Sequence, residues 1–238
     1  MILFPGTELL LIYIAAAVLP AVALLVYIYR RDTVEKEPWG LLVSLLICGV
    51  LAVFLSIVLE MAGVKILGFA LESGSKYYTI IFAFLVVGVV EEGTKMYFLK
   101  RRTWNDSSFS HLFDGIVYSA FVSMGFAAFE NVKYVFAYGL SVAIPRALFA
   151  IPGHLGFSIF MGVFYGRAKL WENRGNQQMK KTNLILAYLS AVFLHGFYDS
   201  CAMIGTSLAN ILFYAFVIAM YIVVYIMIRR ESLGDKPL

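Results

Sequence analysis

The chain has 238 residues, of which 61% are apolar and 14% are charged, and its formal net charge is +4. Soluble domains average about 45–50% apolar and about 25% charged residues, so this composition predicts a helical membrane protein with little room for a soluble domain. The modest charge gives no indication of nucleic-acid binding. Cys48 and Cys201 fall within predicted spans, so no disulfide framework is expected.

Seven segments are long and apolar enough to cross a bilayer, which requires about 20 mostly apolar residues. The short connections between them predict a single all-α transmembrane domain over residues 1–238. Residues 61–76 are too polar to span and too apolar for a simple loop. The predicted spans are about residues 8–29, 39–60, 77–99, 113–137, 144–167, 184–204 and 207–228.

Basic residues concentrate in alternate connections between the spans. Residues 30–38, 100–112, 168–183 and the C-terminal tail carry most of them, whereas the opposite connections carry only Lys65, Lys76 and Arg146. Because basic loops stay on the cytoplasmic side, this asymmetry predicts an outside N-terminus and a cytoplasmic C-terminus.

The third predicted span carries two adjacent carboxylates, Glu91 and Glu92, followed by Lys95. An ionised side chain at the centre of a membrane helix costs about 2.5–3.5 kcal/mol on insertion scales, and such residues usually mark function. On a helix Lys95 can reach either glutamate, while adjacent side chains point about 100° apart. We therefore expect one glutamate to be neutralised by Lys95 and the other to face a cavity.

The fourth span contains Glu130 and Asn131. A local pair of Glu130 with Lys133 at the outer interface is one explanation. The other explanation is that Glu130 belongs to a polar site. We include Glu130 among the catalytic candidates, with Lys95 and Asn131 as supporting residues. Asp114, at the start of this span, is interpreted as a helix N-cap.

The fifth and sixth spans supply two histidines. His154 follows Pro152, whose missing N–H predicts a kink that sets the direction of the imidazole. His195 and Asp199 are four residues apart and so share a helix face, where Asp199 can orient His195 or both can ligate a metal. Together with the paired glutamates, the two histidines and Asp199 indicate a functional site more specifically than any of these residues does alone.

This set of residues suits peptide hydrolysis inside a membrane. A desolvated glutamate can activate water as a general base and then protonate the leaving amine, while histidines stabilise the oxyanion. Alternatively, His154, His195, Asp199 and Glu92 could hold Zn²⁺, which lowers the pKa of its bound water. We favour metal-free catalysis by Glu91 or Glu92. The sequence contains no His-Glu-x-x-His and no Gly-x-Ser-x-Gly motif.

An ordered set of short motifs runs through these spans. It comprises Glu91-Glu92-x-x-Lys95, Phe113-Asp114-Gly115-Ile116-Val117-Tyr118, Gly125-Phe126-x-x-x-Glu130-Asn131, Arg146-Ala147-Leu148, His154 with Met161-Gly162, and His195-Gly196-x-Tyr198-Asp199. In combination, order and spacing, the set resembles the PrsW family of bacterial membrane proteases, part of the larger clan of CAAX-prenyl-protease-like membrane proteins. The resemblance covers most of the chain.

The resemblance implies an endopeptidase of the bacterial cytoplasmic membrane that makes the site-1 cut in a membrane-anchored anti-sigma factor. That cut would activate a sigma factor in the envelope-stress response. The family's paired glutamates, matched here by Glu91 and Glu92, imply the general base, and His195 and Asp199 match its last polar motif. Where the prenyl-protease branch has a histidine, this chain has Glu130. The expected partners are the anti-sigma factor and the bilayer, without nucleic acid.

Two other functions are compatible with acids and histidines in a membrane. A proton-coupled transporter would use them as a proton relay and is expected to contain inverted repeats, which this sequence lacks. A non-catalytic scaffold or immunity protein of the same fold would tolerate substitution of the acids.

Overall fold

The structure, a computed structural model, describes residues 5–72 and 74–238. Within them the regular structure is helical, apart from one isolated β-bridge between His111 and Pro237. The prediction of an all-α fold is confirmed. The helices are α1 (Pro5–Arg31), α2 (Trp39–Ala70), α3 (Lys76–Ile81), α4 (Val89–Thr103), α5 (Asp114–Tyr138), α6 (Ala143–Pro145), α7 (Ile151–Asn173), α8 (Gln177–Ile204) and α9 (Ser207–Leu233).

Two π-helical stretches join short helices into longer rods. Phe82–Gly88 links α3 to α4, and Arg146–Ala150 links α6 to α7. Pro152 lies in the first turn of α7, directly after the second π stretch. Because the helix continues through that stretch, Pro152 removes one backbone donor from its interior, and the nearby Leu148 carbonyl accepts a hydrogen bond from the Tyr221 hydroxyl of α9 at 2.6 Å.

Among the described residues, six helical segments are long and apolar enough to cross a membrane, which confirms the polytopic bundle. They are Glu8–Arg31, Trp39–Ala70, Asp114–Tyr138, Leu140–Asn173, Gln177–Ile204 and Ser207–Leu233. The predicted span 77–99 is also helical, within α3, the first π stretch and α4. It carries three charged side chains, Glu91, Glu92 and Lys95.

Several helices extend beyond the apolar segments from which they were predicted, and α2 and α8 extend the furthest. α2 continues to Ala70 and so includes most of the uncertain segment 61–76, and α8 begins at Gln177 instead of near residue 184. The polar start of α8 is stabilised by Asn176, whose side chain accepts a hydrogen bond from the Met179 N–H. Hydropathy marks only the apolar part of a helix, so its polar ends were missed.

α5 lies at the centre of the bundle and contacts α1, α2, α4 and α7. Glycines allow its closest crossings: a Cβ on Gly162 of α7 would lie 2.6 Å from the Gly115 carbonyl oxygen, and one on Gly125 would lie 2.3 Å from that of Leu46 on α2. Because these neighbours are backbone atoms, they cannot move aside. The glycine of α7 at this crossing therefore serves helix packing.

Asp114 does not cap α5, in contrast to the prediction. It is the first residue of that helix, and its Oδ2 accepts hydrogen bonds from the backbone N–H groups of Ser110 and His111 at 2.9 and 2.7 Å. The carboxylate therefore closes the preceding turn. The prediction placed the helix start one residue too late, and a one-residue error decides which N–H groups the side chain meets.

Replacing Gly162 with alanine is expected to lower the thermal stability of the protein, because the added methyl group would overlap the backbone of α5. Overpacking of this kind typically costs about 1–3 kcal/mol. Gly68→Ala is the matched control: Gly68 lies in α2 with no atom within 4 Å of a built Cβ, so alanine there should be neutral or stabilising. Equal melting temperatures of the two variants in detergent would contradict the proposed packing.

Glu37 makes the fold sensitive to high pH. It lies buried between α1 and α2, and burial, together with the nearby Asp114 carboxylate, raises its pKa from 4.5 to about 8. The folded state therefore favours the protonated form, and this contribution to stability is lost as the pH rises from 4.5 through 8. Glu37→Gln should raise the melting temperature at pH 9 and change it little at pH 5.

Glu35→Gln is the control for that measurement, since the Glu35 side chain is 65% exposed on the same loop. It should leave the pH dependence of the melting temperature as in the wild type. If Glu37→Gln shows that same wild-type pH dependence, the assignment of the titration to Glu37 is wrong.

Candidate active site

Glu91 and Glu92 lie in the first turn of α4, directly after the π stretch Phe82–Gly88. π-helical stretches occur frequently at functional sites. Two contacts hold α4 in place: the Tyr188 hydroxyl of α8 donates to the Val89 carbonyl at 2.9 Å, and the hydroxyls of Ser56 on α2 and Thr94 on α4 are 2.7 Å apart. Both carboxylates are therefore positioned by neighbouring helices.

The Lys95 ammonium lies at the centre of the polar cluster. Its Nζ is 2.8 Å from Glu92 Oε1, 3.2 Å from Glu91 Oε2 and 3.2 Å from His154 Nδ1. It also lies 4.0 Å from the centre of the Phe126 ring. An ammonium group has three donors and no acceptor, so His154 Nδ1 accepts in this arrangement and its proton is on Nε2.

Glu130 connects this centre to a second polar group. The His154 Nε2–H donates to Glu130 Oε2 at 3.2 Å, and Arg146 Nη2 donates to the same oxygen at 2.8 Å. Arg146 Nε donates in turn to Asn131 Oδ1 at 2.7 Å, and Asn131 Nδ2 donates to the Ala17 carbonyl of α1 at 2.8 Å. Glu130 therefore contacts Arg146 and His154, and the alternative of a local pair with Lys133 does not describe the arrangement.

His195 is held between two carboxylates. Its Nδ1 is 2.8 Å from Glu92 Oε1, and its Nε2 is 3.3 Å from Asp199 Oδ2, one helical turn further along α8. The Phe157 ring stacks on the imidazole, with ring centres 4.8 Å apart. These contacts fix the orientation of the ring on three sides.

A cavity of about 460 Å³ opens beside this cluster, and only one of the paired glutamates lines it. Glu91 faces the cavity, whereas Glu92 and Lys95 lie behind its wall. The geometry therefore has one neutralised carboxylate, Glu92, and one that faces the cavity, Glu91. The polar residues that line the cavity are Ser56, Glu60, Glu91, Glu130, Lys133, Tyr134, Arg146, His154, His195, Tyr198 and Asp199.

The structure brings all six catalytic candidates to one region, and it adds residues that the sequence analysis missed. Arg146 was counted as a basic residue of a connection and as part of a family motif, without a role in the site, yet it pairs with Glu130. Glu60 was taken as the end of the second span and lines the cavity. A signal was available in both cases, because each residue is a charge at the outer end of an apolar run.

The side chains of four residues fit a divalent metal in donor type and proximity. Ligand atoms of Glu91, Glu92, His154 and His195 all lie within 4.8 Å of one another, and nitrogen and carboxylate oxygen are common zinc ligands. Glu92 Oε2 is buried without a hydrogen-bond partner, so it retains a lone pair for a further contact. Asp199, a predicted ligand, instead contacts His195, and Glu91 replaces it in the group.

Comparison with known proteins identifies relatives along nearly the whole chain. A family model described as PrsW family intramembrane metalloprotease matches residues 37–227. The chain is also similar to proteins named Protease PrsW from three bacteria. It is 32% identical to that of Oceanobacillus iheyensis over 220 residues (92% of this chain and 95% of the relative). It is 36% identical to that of Geobacillus kaustophilus over 190 residues (78% and 77%). It is 31% identical to that of Bacillus subtilis over 205 residues (84% and 86%). No solved structure matches the chain.

Replacing Arg146 with methionine is expected to lower the stability of the protein strongly, because Glu130 would keep a buried charge without its guanidinium partner. Breaking a buried ion pair costs about 3–5 kcal/mol. Lys133→Met, which removes the same charge one turn from Glu130, should cost less than about 1 kcal/mol. The measurement is the free energy of unfolding in mixed micelles, and equal losses for the two variants would contradict the assigned Glu130–Arg146 pair.

Proposed function

The chain belongs to the PrsW family and is an intramembrane protease, and from that premise we propose that Glu91 is its general base. The observation that carries the proposal is the different environment of the paired glutamates. Glu91 lines the cavity in which a substrate and water could meet, whereas Glu92 is engaged behind the wall by Lys95 and His195. A general base must reach the proton that it removes, and Glu91 meets that requirement.

The proposed reaction needs only a water molecule and the side chains of this cavity. Glu91 removes a proton from water while the water oxygen forms a bond to the scissile carbonyl carbon. The negative charge passes to the carbonyl oxygen. When the C–N bond breaks, Glu91 returns the proton to the leaving amine and becomes a carboxylate again. The products are a new carboxyl terminus and a new amino terminus.

The two histidines are the proposed donors to the oxyanion. His154 and His195 both line the cavity beside Glu91. The Nε2–H of His154 donates to Glu130, and the ring nitrogens of His195 face Glu92 and Asp199, so each ring is held in a fixed orientation. To stabilise the oxyanion, a histidine would turn an N–H from its carboxylate to the charge that develops in the cavity.

A metal-dependent mechanism is the second candidate, because of the close group of four ligands described above. Glu91, Glu92, His154 and His195 would hold a Zn²⁺ ion, which would polarise the carbonyl and lower the pKa of a bound water. In either mechanism Glu130 and Asp199 orient the histidines. We favour the metal-free reaction, because Lys95 already supplies a positive charge among these residues.

We propose a membrane-anchored anti-sigma factor as the substrate, cut on the outer side of the bacterial cytoplasmic membrane to start an envelope-stress response. Family resemblance suggests the substrate, and the position of the cavity supports the side. Lys133, Pro145 and Met203 line the cavity and lie near the ends of α5, α6 and α8 that the charge distribution predicts to be outside. A cavity at that depth suits a cut near the outer surface.

Glu91→Gln is expected to reduce cleavage of an anti-sigma substrate in proteoliposomes by at least about 100-fold, since general-base catalysis contributes about 10²–10⁴-fold. Its melting temperature should stay near the wild-type value, because Glu92 still neutralises Lys95. Glu92→Gln should instead lower the melting temperature, since it weakens contacts to both Lys95 and His195. Wild-type cleavage by folded Glu91→Gln protein would rule out Glu91 as the base.

A further inference from the structure

We propose that Lys95 limits how tightly this site binds a divalent metal. Its ammonium contacts three of the four candidate metal ligands, Glu91, Glu92 and His154. Lys95 acts here as a positioning residue. The inference rests on the proposed function only in taking Glu91, Glu92, His154 and His195 as the site, and it concerns metal binding, which is measured without turnover.

A metal and Lys95 need the same atom of His154. The Nε2–H of that ring donates to Glu130, so the lone pair that remains for a metal is on Nδ1. Nδ1 is the atom that accepts from Lys95 Nζ at 3.2 Å. A zinc–nitrogen bond is about 2.0–2.1 Å long, so a bound ion would lie between the ring and the present position of the ammonium.

A metal and Lys95 also need the same two carboxylates. Glu91 Oε2 and Glu92 Oε1 both point at Lys95 Nζ, at 3.2 and 2.8 Å. A divalent ion bound by these residues would lie close to the ammonium, and two positive charges at such a separation repel strongly where little water screens them. The ion can therefore enter only if the ammonium leaves its present place.

Lys95 is not a surface lysine. Only 2% of it is exposed, and it emerges from the same helix as both glutamates, three and four residues away. The Phe126 ring covers it at 4.0 Å, which adds a cation–π contact. A buried ammonium with these partners leaves them only at a large cost in free energy. Lys95 therefore stabilises the metal-free arrangement and opposes metal entry.

The test compares Zn²⁺ affinity in three full-length proteins purified in detergent: wild type, Lys95→Met and Lys133→Met. Each metal-free protein competes for Zn²⁺ with a chromophoric chelator, and elemental analysis after dialysis gives the stoichiometry. Lys95→Met should bind one Zn²⁺ per chain at least tenfold more tightly than the wild type. Lys133→Met, which removes the same charge from the wall of the same cavity, should stay within threefold of the wild type.

Equal or weaker Zn²⁺ binding by Lys95→Met than by the wild type would overturn the proposal. A tenfold gain in Lys133→Met as well would also overturn it, since any nearby positive charge would then have the same effect. Neither result depends on cleavage, so the proposal can fail while Glu91 remains the base, and it can hold if Glu91 proves not to be the base.

Lys95→Met leaves two buried carboxylates without their cation, so the variant could be unstable without metal. Lys95→Gln, which keeps an N–H donor, is the second variant, and Zn²⁺ should raise its melting temperature more than that of the wild type. If neither variant accumulates in ordinary medium, growth with added zinc should restore Lys95→Met. Failure of zinc to restore it would count against the proposal, as would equal stabilisation of Lys95→Gln and the wild type.

Discussion

The neutralisation of two adjacent buried carboxylates is the constraint on which the rest of the structure depends. Glu91 and Glu92 can stay in a membrane helix only if positive charge and N–H groups surround them. Lys95 supplies the charge from the same helix, and His154 and His195 supply ring nitrogens from α7 and α8. Since these partners come from separate helices, the site exists only when the helices are packed closely together.

The close packing that the site requires explains the glycine-rich crossings. α5 meets α2 and α7 at glycines whose missing side chains let backbones touch. The Ser123 hydroxyl of α5 donates to the His154 carbonyl at 2.9 Å, so the same crossing positions the backbone of the histidine. A second group of contacts, from Glu130 through Arg146 and Asn131, links the site to α1. Packing and electrostatics therefore support one another.

Much of the site followed from the spacing of residues along single helices. Lys95 could be expected to reach both glutamates, and Asp199 to reach His195, because residues three or four apart on a helix are neighbours. The division of roles between an accessible and a neutralised glutamate followed from the 100° step between adjacent residues. Which of the two is accessible depends on how α4 is rotated in the bundle, and a single sequence does not determine that rotation.

Contacts between helices and irregular backbone were the parts that sequence reasoning missed. The π stretches before α4 and α7 shift the register of the residues that follow, and apolar composition does not distinguish them from α-helix. Arg146 lies in one of these stretches, which turns it from a connection residue into the partner of Glu130. Asp114 was misplaced by one residue, and that was sufficient to change its hydrogen-bond partners.

The most direct test of the account is a double-mutant cycle on Glu92 and Lys95, read as the free energy of unfolding in mixed micelles. Glu92→Gln leaves Lys95 with Glu91 as its carboxylate partner, Lys95→Met leaves both buried carboxylates without their cation, and the double variant leaves only Glu91 without it. The account predicts that the double variant loses at least about 2 kcal/mol less than the sum of the single losses. Losses that add to within about 0.5 kcal/mol would show that these two charges do not depend on one another, and would contradict the account.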